Sequence, residues 1–149
     1  MNLKSSLRTA STIMFGMGIY VIVMSIAWIF LTEIVFVSDF LGFTGQSYAE
    51  FLISNPLQAE IYMITKKLLG VTLLLIGIIV AIITRKSYGK GERWSWYTLL
   101  ITGTMLWGSL IGYRVLIGYV APSIITFIIG AVLFIIGIAL PAKEILGKS

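Results

Sequence analysis

Cysteine and histidine are both absent from the 149 residues. Their absence excludes disulfides, thiol redox catalysis, zinc sites built on Cys or His, and histidine-ligated haem. Charge is scarce too: 11% of the residues are charged and 58% are hydrophobic, with a mean hydropathy of +1.02. So little polar surface cannot coat a water-soluble globule. The net charge of +5 would suit nucleic acid, but the cations are scattered along an apolar chain with no soluble basic domain. Anionic lipid headgroups are the expected counter-charge, and nucleic acid is not an expected partner. Within the apolar stretches there is no pair of carboxylates, no nucleophile beside a base and no metal-ligand cluster, so neither catalytic residues nor a metal or cofactor are expected. Nor is there an ionisable group near mid-membrane of the kind an ion or proton carrier keeps.

What is present is long uncharged sequence. Thr9 to Thr32, Leu68 to Thr84, Trp94 to Tyr113 and Val115 to Ala142 carry no charge, and about 20 apolar residues suffice to cross a hydrocarbon core of about 30 Å. The first run follows Lys4 and Arg8, and Ser25-Ile26-Ala27 loosely resembles a leader cleavage site. The run is longer than a leader's usual ~7–15 residues and continues through Trp28 to Leu31, so it reads as a span. The expected architecture is all-α: one integral membrane domain over 1–149, a four-helix antiparallel bundle with helices about 10–33, 56–84, 93–117 and 122–141. Of the 11 Lys and Arg residues, a cytoplasmic N-terminus places eight inside, leaving Lys66, Lys67 and Arg114 outside. The positive-inside bias therefore predicts N-in and C-in.

The segment between the second and third spans, "RKSYGKGERWSWY" from Arg85 to Tyr97, reads as an inner turn and anchor. Gly89 and Gly91 supply backbone freedom, while Arg93, Trp94, Trp96 and Tyr97 are expected at headgroup depth. The outer loop, about 34–55, is too apolar for a tether. It is expected to be partly helical and to lie at the interface or fold over the bundle as a lid. Ser47 and Glu50 fit a capping box, and Asn55-Pro56 suits the cap and first turn of the second span.

Gly70, Gly77, Gly108, Gly112, Gly130 and Gly137 recur at spacings of four or seven, which puts each pair on one helix face and predicts close helix packing. "GSLIG", Gly108 to Gly112, has the small-xxx-small pattern, which also serves dimers. Arg114 is the one charge inside the apolar hairpin formed by the last two spans. It lies about 20 residues past Trp94, and Glu33 about 20 past Thr12, which gives both the same depth. A snorkelling or structural ion pair is one reading; the other is a polar pocket of Glu33, Arg114, Tyr113 and Lys67. Trp107, at mid-span, either hydrogen-bonds within the bundle or lines a cavity.

The order of four spans, Asn55-Pro56 opening the second, Gly70 early within it, and the turn Gly91-Glu92-Arg93-Trp94-Ser95-Trp96-Tyr97 together resemble the small four-helix membrane proteins of the DoxX/DoxD-like class. The resemblance covers roughly 44–117. It implies an antiparallel four-helix bundle, in some members an accessory subunit of quinone-linked redox assemblies, and it brings no catalytic motif. The functional expectation is a non-catalytic accessory or stabilising membrane subunit that binds a lipid or quinone-like molecule beneath the outer loop. Its partners would be the bilayer, other membrane subunits or a second copy. Two alternatives are a small carrier or channel gated by Glu33 and Arg114, and a membrane enzyme acting on a lipid with Glu33, Asp39 or Glu60 donating protons.

Overall fold

The computed structural model describes residues 3–116 and 124–147. The described chain is all-helical: α1 Leu3–Phe30, α2 Thr32–Thr44, α3 Tyr48–Ser54, α4 Pro56–Lys86, a 3₁₀ turn at Tyr88–Lys90, α5 Arg93–Leu116, α6 Ile124–Ala139 and α7 Ala142–Leu146. Among the described residues, four segments are long and apolar enough to cross a membrane: Ser5–Phe30, Pro56–Lys90, Arg93–Leu116 and Ile124–Leu146. The turn expected at Gly118 to Ser123, with Pro122 opening the last span, lies outside the described residues.

The stretch expected as a loop at 34–55 is almost entirely helix. Backbone bonding hardly breaks at Leu31, whose N–H donates to Ala27 at 2.8 Å and whose carbonyl accepts from Val35 at 2.9 Å. The rod bends there instead. Thr32 Oγ1 donates back to the carbonyls of Trp28 (2.6 Å) and Ile29 (3.1 Å), and back-bonding of this kind bends helices. Gly45 ends α2 in the left-handed conformation at φ +72°, its N–H donating to Leu41, a geometry glycine adopts without steric penalty. Ser47 and Glu50 then form the capping box that opens α3. Pro56 stands in the first turn of α4, but Asn55 makes no side-chain cap and donates to Ser54 Oγ instead.

The long helices lie side by side in the order α4, α1, α6, α5, and α4 and α5 touch little. Missing side chains set the α1–α4 approach. A Cβ at Gly18 would lie 3.1 Å from the Ala81 backbone, at Gly77 2.9 Å from Ile22, and at Gly70 2.9 Å from Ile29. Residue numbers rise along one helix as they fall along the other. Gly130 faces the Trp107 ring and Gly137 faces Met14, so two of the glycines on α6 also serve close packing. Gly108 and Gly112 depart from the expectation: a Cβ at either would meet nothing within 4 Å. Among the described residues, nothing packs against these two positions.

The segment between α4 and α5 is less an anchor than a clasp. Pro141 has no N–H, so the Gly137 carbonyl lacks its helical donor; the buried Tyr88 hydroxyl donates to it at 2.5 Å. Trp96 Nε1 donates to the Ile138 carbonyl at 3.0 Å, and Arg93 donates to the carbonyls of Ile145 and Leu146. Trp96 is therefore buried rather than presented at a surface, whereas Trp94 and Tyr97 are half-exposed. Gly91 takes φ +76° to close the turn, while Gly89 does not have a positive φ and packs beside Ser11.

Candidate functional site

The chemistry concentrates at the end of the molecule that carries α2 and α3. Bending at Leu31 swings α2 across the tops of the long helices, where Thr32, Phe36, Asp39 and Phe40 form its buried face. Aromatic contacts hold it there. Phe40 packs on Tyr48, Phe51 and Tyr62 with ring centroids 5.5, 5.0 and 5.2 Å away, and Phe36 meets Trp28 edge-on at 4.9 Å. Tyr48 also donates to the Ala59 carbonyl at 3.0 Å, tying α3 to α4. Burial, and behind it the Glu33 carboxylate, raises the Tyr48 phenol above its ordinary range.

Arg114, from α5, meets Asp39, from α2, in a buried ion pair. The two side chains are 8% and 11% exposed, so the pair is desolvated and strongly dependent on both members. The guanidinium also lies over the Phe127 ring, 5.7 Å from its centroid. Lys66 of α4 stands beside the pair. Its ammonium is 5.1 Å from the ring centroids of both Phe36 and Tyr62, within range of cation–π attraction.

Two adjoining cavities open around these groups. One, of about 200 Å³, is lined by Asp39, Phe40, Phe43, Tyr62, Lys66, Tyr113 and Arg114 among others. The second, of about 240 Å³, shares Lys66, Tyr113 and Arg114 and continues over Trp28, Phe36, Leu69, Leu110 and Phe127. It occupies the gap between α4 and α5, where those helices part. On the far side of α2, a further apolar hollow between α1 and α6 also reaches Asp39 and Arg114.

Of the residues the sequence grouped together, Arg114 and Tyr113 line this site. Glu33 and Lys67 are exposed and flank a separate dip with Phe30, Leu31 and Ile34. Arg114 takes Asp39 as its carboxylate in place of Glu33, and Lys66 stands where Lys67 was expected. Helical periodicity explains both differences. Once 32–44 is a helix, Asp39 falls three residues after Phe36 on the buried stripe. Lys66 lies three after buried Met63 and four before buried Gly70, whereas Lys67 is turned about 100° away. Glu60 is exposed on α4 and lines neither cavity, and Asp39 is paired with Arg114. Trp107 is buried, lines no described cavity, and its Nε1 has no hydrogen-bond partner among the described residues.

Among the described residues no three His, Cys, Asp or Glu side chains converge. What the site offers is charge and aromatic surface around a space for an occupant. Comparison with protein-family models, curated proteins and solved structures found no match to this chain.

Proposed function

We propose that the chain is an integral membrane protein, an antiparallel four-helix bundle with both ends on the cytoplasmic side. It acts as a non-catalytic accessory subunit that holds a lipid or quinone-like molecule under α2 and α3. The observation that carries this reading is the pair of adjoining cavities around Asp39, Arg114 and Lys66, the one under α2 more polar than the one between α4 and α5. Sites for small molecules are mostly apolar concavities with a few convergent polar groups. An opening between two spans admits an amphiphile sideways from the bilayer.

The membrane setting is supported by surface and by length. Large apolar side chains cover the outward faces of the long helices, among them Phe30, Leu68, Leu75, Met105 and Ile135. Patches of that extent need lipid or protein beside them. From Lys66 to Arg85 α4 rises about 28 Å, and from Arg93 to Arg114 α5 rises about 31 Å, each the thickness of a hydrocarbon core. Lys66 and Arg114 would then lie at the outer boundary, with α2 and α3 as a lid at headgroup depth. The resemblance to DoxX/DoxD-like proteins agrees with an accessory role.

Native purification followed by mass spectrometry tests the reading. The expected result is a tightly held lipid, quinone-like molecule or second protein, and recovery as a lone, empty monomer refutes it. Orientation has its own test, because any introduced cysteine is unique in this chain. In intact cells, an impermeant maleimide should label Ser54→Cys and spare Ser5→Cys; the reverse pattern overturns the topology.

A further inference from the structure

The charges around the cavity do not cancel. Arg114 and Asp39 neutralise each other, leaving Lys66 as an additional cation on the same wall. Among the described residues no carboxylate lies within ion-pair distance of its ammonium. The other acids of this end, Glu33, Glu50 and Glu60, are exposed and line neither cavity. Lys66 is half-buried against the faces of Phe36 and Tyr62. Ring faces attract the charge but leave the three N–H donors largely unfilled. Tyr62 and Tyr113 bring phenol groups to the same wall, while the neighbouring cavity is lined by Trp28, Phe36, Leu110 and Phe127.

We infer that the occupant is a monoanionic amphiphile, with a carboxylate or phosphodiester headgroup set against Lys66 and an acyl-like tail lying between α4 and α5. This rests on the reading of the cavity as a ligand site and narrows it to a charge and a shape. One negative charge restores neutrality in a weakly polar setting, where an uncompensated charge is expensive. A neutral headgroup leaves the lysine as it is. The buried Asp39–Arg114 pair takes no direct charge from the ligand; it fastens α2 over the headgroup and is a positioning element.

Quenching of tryptophan fluorescence by a brominated acyl chain tests this on the purified full chain, because Trp28 lines the tail cavity. Dibromostearic acid, ionised at the assay pH, and its methyl ester differ in head charge, and methyl dodecyl phosphate, a phosphodiester with one negative charge, serves as a competitor beside laurate. The acid should quench saturably, the ester should bind at least tenfold more weakly, and Trp28→Phe should remove most of the signal. Lys66→Gln should bring the acid's affinity down about 10- to 100-fold toward that of the ester, the range expected for a hydrogen bond to a charged group, while Lys66→Arg retains it. Stronger competition by the phosphodiester than by laurate assigns the head preference to phosphate, and the converse to carboxylate. Equal binding of acid and ester, with the quench still lost in Trp28→Phe, overturns the anionic inference and leaves the cavity reading intact. If neither probe quenches through Trp28, both fail. The comparison of acid with ester uses wild-type protein alone, so misfolding of a variant does not blunt it.

Discussion

Asp39→Ala is the sharpest perturbation of this fold, because it leaves the Arg114 guanidinium buried without its carboxylate. Removing one member of a dry, buried ion pair costs about 3–5 kcal/mol. The cavities that adjoin the pair let water approach, and Arg114 stands near the end of α5, where a long side chain can turn toward the surface. The lower end, about 3 kcal/mol, is therefore expected, or a fall of about 10 °C in Tm for a chain of this length. Thermal unfolding in detergent, followed by tryptophan fluorescence, reads it, and Trp28 against Phe36 reports on the α2 contact. Because the pair is buried, the difference from wild type should barely change with added salt. The double replacement Asp39→Leu/Arg114→Met removes both charges together and should return Tm to the wild-type value or above, since such swaps are often neutral or stabilising by about 1–4 kcal/mol. A single variant within about 1 °C of wild type, or a double variant as weak as the single, would refute the claim that α2 is held by this pair.

Two further predictions probe the packing. Gly77→Ala drives a methyl to 3.0 Å from the Ile22 backbone nitrogen and 3.1 Å from the Gly18 carbonyl oxygen, neither of which can yield, so α1 and α4 must separate at about 1–3 kcal/mol. Gly108→Ala meets nothing within 4 Å and should stabilise by about 0.5–1 kcal/mol through helix propensity. The same unfolding assay decides the pair, and a destabilising Gly108→Ala would mean that a second molecule covers that face. Tyr88→Phe should lose about 1–3 kcal/mol because the Gly137 carbonyl keeps no donor, against a change within about 0.5 kcal/mol for the exposed Tyr97→Phe; equal effects would remove the clasp from the account.

The sequence by itself determined what depends on neighbours a few residues apart. Hydropathy over about 20 residues marks the four long helices, Ser47 and Glu50 specify the start of α3, and the spacing of Gly70 and Gly77 selects the face of α4 that meets α1. The run from Thr32 to Thr44 was legible in part: its apolar content excluded a tether, but a helix of that length after an unmarked bend carries no glycine or proline signal at its start. Only the tertiary structure decided the partners. The bend at Leu31, where the Thr32 hydroxyl bonds back to Trp28 and Ile29, brings Asp39 and not Glu33 to Arg114. Rotation of α4 by the packing of its glycines turns Lys66 inward and Lys67 out. Pro141 and Tyr88 lie far apart in the chain, so the clasp could not be read from either. Likewise Gly108 and Gly112 share a local pattern with the packed glycines, yet nothing among the described residues packs against them. Helical periodicity tells which residues share a face, and the relative rotation and tilt of whole helices, a long-range property, decides what that face meets.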